Sequence, residues 1–139
     1  MGTILELSDA LQNDSNKDFT WAVPVRVLWA FVTLVTTATV GIRVPVIEVF
    51  DIAAAPVLRW YSPMMSSSSG QAASLTRYYL TCTNTTRMGG FGGPSVDYAE
   101  VQVPRGLYIR AGWVLRIRDL FAIDVAADDM TVFGQVETD

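Results

Sequence analysis

A chain of 139 residues with net charge −4, half of it hydrophobic and only 17% charged, is one domain by size and long enough to bury a core without staples. The lone Cys82 excludes an internal disulfide, and the absence of His removes the commonest general base and metal ligand. Nine Arg and the single Lys17 are too few for a nucleic-acid stripe, and so low a charge leaves apolar surface that assembly would cover.

Residues 1–16 read as an N-terminal arm ahead of a domain spanning 17–139. Ile4, Leu5, Leu7 and Leu11 are apolar in a polar segment, and their spacing also fits a weak amphipathic helix of about two turns. These side chains need a partner surface, on their own domain or on a neighbouring subunit. An arm implies that deleting residues 1–16 leaves a folded domain. The segment is polar and acidic, with no basic stretch followed by an apolar one, so no secretory signal is expected.

Asn13 to Asp18 is turn chemistry. Phe19, Trp21 and Val23 make a short strand that Pro24 ends. Val27 to Thr37 follows, rich in β-branched and aromatic residues. Trp29, Phe31 and Val35 share one face, and Leu28, Val32 and Leu34 the other. Apolar on both faces, it is expected as a central strand, covered on one side by the core and on the other by a second layer or a neighbouring subunit. The uncharged stretch Val27 to Ile42 is shorter than the roughly 20 residues that span a bilayer, so no membrane association is expected.

Arg43 to Phe50 is a third strand, with Pro45 suggesting an edge position. Val57 to Tyr61 is a fourth, stopped by Pro63. Ser66 to Gly70 is a flexible loop by composition. Ala73 to Thr83 resumes β character. The next loop carries two glycine pairs around Phe91, a tip suited to ordering on contact. Val96 to Val103, Leu107 to Arg110, Trp113 to Asp119 and Met130 to Thr138 complete the strands. In the third of these, Trp113, Leu115 and Ile117 point inward while Val114, Arg116 and Arg118 point out. The pattern predicts an all-β fold: a single-domain antiparallel β-sandwich of jelly-roll or Greek-key type, with a barrel as the fallback.

No catalytic constellation emerges, and the chain is not expected to be an enzyme. Ser–His and Cys–His pairs are impossible. Asp124, Asp128 and Asp129 crowd one loop but lack the alternating ligands and Gly of a calcium loop, and are expected to be solvated. The glycine-rich stretch 89–93 has no Gly-Lys-Ser/Thr continuation, so it is no phosphate loop. No cofactor or metal is expected. The remaining asset is aromatic: Trp60-Tyr61 and Tyr78-Tyr79 are adjacent pairs within strands, so in each one ring faces out if the other faces in. Exposed rings anchor protein interfaces or stack on sugars.

Three stretches together, Thr36-Thr37-Ala38-Thr39-Val40-Gly41, Ala72-Ala73-Ser74-Leu75-Thr76-Arg77 and Ile123-Asp124-Val125-Ala126-Ala127-Asp128-Asp129-Met130, resemble small virion proteins of tailed bacteriophages, in particular β-sandwich cement (decoration) proteins of the head. The likeness spans about Phe19 to Val136. It implies a late-binding structural protein, often trimeric, that sits over capsomer junctions on the head surface and holds the shell against internal DNA pressure. Its implied partners are the major capsid protein and copies of itself. A tail or fibre component, or a carbohydrate-binding module, is the competing expectation. The candidate interface residues are Ile4, Leu5, Leu7, Leu11, Trp60, Tyr61, Tyr78, Tyr79 and Phe91.

Overall fold

Alternation of apolar and polar side chains builds ten strands in a computed structural model, which describes residues 2–52, 55–64, 70–82, 98–102 and 107–139, with 10–12, 82 and 98–102 described by backbone alone. The strands are β1 (Ile4–Asn13), β2 (Lys17–Thr20), β3 (Val25–Val35), β4 (Pro45–Phe50), β5 (Leu58–Pro63), β6 (Thr76–Cys82), β7 (Tyr98–Gln102), β8 (Tyr108–Ile109), β9 (Val114–Asp119) and β10 (Asp129–Thr138). Among the described residues there is no helix.

The strands form two sheets. One has the order β1-β10-β3-β6-β7, with β8 pairing the start of β3; the other has the order β2-β9-β4-β5. The chain is therefore all-β, a two-sheet sandwich. Both sheets feed one core. Val25, Val27, Ala30, Val32 and Leu34 of β3 and Met130, Val132 and Val136 of β10 meet Ile47 and Val49 of β4 and Leu115 and Ile117 of β9.

β3 is central, flanked by β10 and β6. Its pairing with β10 slips between Trp29↔Gln135 and Val27↔Val136, which makes Leu28 the extra residue of a bulge. The bulge changes the phase. Val25 and Val27 face the core before it, and Ala30, Val32 and Leu34 after it. The strand ends two residues earlier than expected. Thr36 leaves the ladder because its hydroxyl donates to the Ala72 carbonyl, 2.7 Å away, while its amide bonds Leu75 O.

Four expectations need correction. The supposed arm is edge strand β1, paired with β10 from Ile4↔Glu137 to Asn13↔Met130. Its alternation of 2, not helical spacing, prevails because Leu7 is buried in the core and Leu5 packs against it. Deleting residues 1–16 would remove a core side chain along with an edge. Pro45 is not on an edge: β4 lies between β9 and β5, and proline is accommodated as its first residue. The sheets are antiparallel except for one pair, since β7 runs parallel to β6. The intervening residues 83–97 are long enough for the return a parallel pair requires. Finally, Asp128 is fully buried rather than solvated.

One close approach fixes the β10–β3 spacing. A Cβ on Gly134 would lie 2.4 Å from the Trp29 carbonyl oxygen and 3.1 Å from Ala30 Cα, both backbone atoms. Gly134→Ala is therefore expected to destabilise the fold by about 1–3 kcal/mol, the usual cost of overpacking. Urea unfolding should show a lower midpoint at unchanged slope; an unchanged midpoint would mean the ladder yields freely.

Candidate interaction face

The inner face of the six-stranded sheet is covered by the second sheet; its outer face carries an uncharged aromatic stripe. β3 contributes Trp29, Phe31, Thr33 and Val35. Register sets Phe31 opposite Phe133 of β10 and Leu80 of β6, and Thr33 opposite Tyr78. The Phe31 and Tyr78 rings stack with centroids 5.8 Å apart and planes 19° apart. Trp29 Nε1 donates to Gln135 Oε1 at 3.1 Å across the same ladder. Phe133 is 45% exposed and Tyr78 37%, with Val35 and Ile4 also exposed. Among the described residues charge enters at the margin, where Arg26 pairs with Glu137 and where Glu6 of edge strand β1 stands exposed opposite Gln135. A surface of this kind is what a protein partner's core contact requires: rigid rings, few charges and little conformational freedom to lose.

The outer face of the four-stranded sheet is the opposite kind of surface. Arg116 Nε lies 2.6 Å from Asp18 Oδ1, and Arg118 Nε lies 2.8 Å from Glu48 Oε1. The Arg116 guanidinium also covers the Phe50 ring at 4.6 Å. Its charges are paired across strands.

The residues expected at an interface divide accordingly. Tyr78 and Ile4 are exposed on the six-stranded sheet, and Tyr61 is exposed on β5 of the other. Their neighbours Tyr79 and Trp60 turn inward, so each adjacent pair does split between faces. Tyr79 is fully buried and its hydroxyl donates to Gln71 Oε1 at 2.7 Å; burial pushes its phenol up to about 12. Leu7 belongs to the core and Leu5 packs on it. The Leu11 side chain and Phe91 lie outside the described residues. The sequence reading passed over Phe133. The signal was present: in β10 it is the aromatic on the polar-face positions Thr131, Phe133, Gln135 and Glu137.

The chemistry-bearing groups gather at one end of the sandwich, where Arg43, Asp128, Asp119 and Asp14 are closed from solvent. Arg43 and Asp128 form a buried pair, with Nε 2.7 Å from Oδ2 and Nη2 3.2 Å from Oδ1. Arg43 Nη1 donates to the carbonyls of Thr39 and Gly41, and Asp128 Oδ1 accepts from the Thr37 amide. Asp124 accepts from the Thr37 and Thr39 hydroxyls, which hold its carboxyl below the usual range. The acidic loop is thus a set of braces. Among the described residues no group of three or more His, Cys, Asp or Glu is arranged to hold a metal ion. No protein-family model, curated protein or solved structure matches the chain.

Two further carboxylates are buried here. Asp119 Oδ1 accepts from the Val44 and Phe121 amides, whereas its Oδ2 and both oxygens of Asp14 lack a conventional donor. A proton on the Asp14 carboxyl would supply a donor there. Burial, and then the facing charges of Asp119 and Asp128, push the Asp14 carboxyl up to about 8 from an ordinary 3.8, against a smaller opposing pull from Arg43. The folded state therefore keeps a proton that the unfolded state loses above pH 4. This group's contribution to stability declines as pH rises from about 4 to about 8, by at most about 1.4 kcal/mol per pH unit. Asp14→Asn should flatten that decline and make the protein more stable than wild type at pH 9 by at least about 1 kcal/mol. Urea midpoints measured from pH 5 to 9 check this; parallel curves for the two proteins would refute the raised Asp14 carboxyl.

Proposed function

We propose that the chain is a structural virion protein, a cement or decoration subunit that docks on the major capsid protein at capsomer junctions of a phage head and stabilises the shell as a homotrimer. The observation that carries this reading is the uncharged aromatic stripe of Trp29, Phe31, Phe133 and Tyr78 on a rigid sheet face, beside a second face whose charges are already paired. The strand orders β1-β10-β3-β6 and β2-β9-β4-β5 support a jelly roll with β7 and β8 added. Jelly rolls serve viral capsid and lectin domains alike, so the fold narrows the choice without making it.

The three stretches that resemble cement proteins meet at one end. Thr36 N bonds Leu75 O, Ser74 N bonds Thr37 O, and Thr37 bonds both Asp124 and Asp128. They brace the fold.

A sugar-binding module is the second reading, favoured by the exposed Tyr61 and Tyr78 rings. These two rings lie on different sheets, so they do not make one stacking platform.

Phe133→Glu is expected to leave the fold intact and to weaken binding to heads lacking the protein by roughly tenfold or more, as for a central interface anchor. Co-sedimentation with such heads measures it, and undiminished binding would remove the stripe from the interface. A glycan array run in parallel is expected to be blank; a sugar signal lost in Tyr78→Ser would favour the second reading instead.

A further inference from the structure

The chain's only lysine lies in its interior. Lys17 opens β2 with its side chain turned toward the core, on the same side as Phe19. A lysine is almost never fully buried unless its ammonium has partners. Two of these partners belong to β1: Lys17 Nζ lies 3.1 Å from Asn13 Oδ1 and 3.6 Å from Asp9 Oδ1. Asn13 ends β1 in the six-stranded sheet, and β2 belongs to the four-stranded one. The three side chains therefore meet where the chain crosses between sheets.

The Asn13 amide is polarised as well as placed. Its Oδ1 accepts from the Ser15 amide at 3.2 Å and from Ser15 Oγ at 2.5 Å, besides Lys17. The two Ser15 donors stand where negative charge gathers when a nucleophile adds to the amide carbon, as in an oxyanion hole. That carbon, Cγ, is bonded to Oδ1 at about 1.2 Å. An amine, a polarised carbonyl and a carboxylate beside the amine are the parts of a nucleophilic acyl transfer.

We infer that Lys17 and Asn13 join in an isopeptide bond, formed by the folded chain on itself. The ammonium passes one proton to Asp9. The neutral amine adds to Asn13 Cγ, and the Ser15 N–H and Oγ–H hold the oxyanion. Asp9 then gives its proton to Nδ2, the Cγ–Nδ2 bond breaks and the carbonyl re-forms. The new amide sheds its surplus proton to the departing ammonia, which leaves as ammonium. No oxidant, reductant or cofactor enters. The product replaces a buried ammonium by a neutral amide, which removes the cost of keeping that charge from water. Asp9, 24% exposed, stays in contact with solvent and gives ammonia a way out. The rival loss of ammonia from Asn13, by attack of the next backbone amide, is disfavoured because the Asp14 N–H donates to the Val125 carbonyl at 3.1 Å. The bridged residues are only 4 apart in sequence, so the bond fixes the corner between sheets more than it restricts the unfolded chain. Nothing in this chemistry depends on a capsid.

The intact mass of the purified full chain tests the bond. Wild type is expected to be lighter than its sequence by one ammonia. Because Lys17 is the single lysine, acylation of amines in the denatured protein should label the N-terminus alone. Trypsin should fail to cut after Lys17, leaving a peptide that runs on to Arg26 and branches at Asn13. Lys17→Arg and Asn13→Ala should each restore the full mass, and Asp9→Asn should leave most of the chain unlinked. Where a variant fails to fold, the lysine labelling and the branched peptide of wild type decide alone. A wild type of full mass whose lysine is labelled would overturn the inference. So would an ammonia loss that persists in Lys17→Arg, which would mark a succinimide at Asn13. Linkage undiminished in Asp9→Asn would overturn the step as written, since its proton carrier would be gone.

Discussion

A strand that is apolar on both faces is covered on only one of them when two sheets are all that the described residues supply. β3 is that strand. Its core side takes Val25, Val27, Ala30, Val32 and Leu34, and the second sheet seals them. Its other side keeps Trp29 and Phe31 half in water, with Phe133 and Tyr78 completing the stripe from β10 and β6. Fully burying one such side chain is worth about 1.5–3 kcal/mol, so four rings left partly wet are a sizeable free energy for a partner to collect. The exposed stripe is a consequence of strand order: had β1 or β7 folded over that face instead of extending the sheet, it would be closed.

Much of this was legible in residue pattern. The two alternating sets of β3 were separable by eye, as were the inward Leu115 and Ile117 and the split of each aromatic pair. What was illegible depended on partners distant in sequence. A bulge at Leu28 appears only when β10 is laid beside β3 and Gln135 meets Trp29. Residues 4–13 carry a spacing that serves a weak helix and a strand equally, and the presence of a free β10 edge decides between them. Asp128 looked like any loop aspartate because its counter-charge, Arg43, is 85 residues away. Pairing direction was invisible too, since side-chain alternation in β7 is the same whichever way it runs.

The buried Arg43–Asp128 pair shows what the acidic end is built to do. Desolvating two charges costs several kcal/mol per ion, and their attraction offsets this only when every remaining donor is satisfied. Here the Arg43 donors are spread over Asp128, Thr39 O and Gly41 O, and Asp128 also takes the Thr37 amide. A hydrophobic replacement of similar volume would hold the sheets together as well. It would not specify which turn lies where. The same end keeps Ser74 and Ala122 at φ 58° and 48°, backbone that costs non-glycine residues on the order of 1–3 kcal/mol each. Such turns persist when their surroundings over-determine them. Ser74 is held by its amide on the Thr37 carbonyl, and Thr37 is in turn bonded to Asp124 and Asp128.

Rigidity at that end has a consequence for the surface above it. Val40 sits between Thr39 and Gly41, the two residues whose carbonyls bind Arg43. Its side chain is thus presented on a turn fixed from beneath by a buried charge, and not on a loop free to fold away from water. An apolar side chain held out in this manner loses little conformational freedom when it meets a partner, because the backbone carrying it is already ordered. Burial of Asp14 and Asp119 below the same corner joins β1, β4 and β9 to that support through the Val44 and Val125 backbones. The polar interior and the apolar exterior of this end are therefore one construction: the desolvated network, unfavourable in isolation, keeps the projecting Val40 and Phe121 turns in a single arrangement.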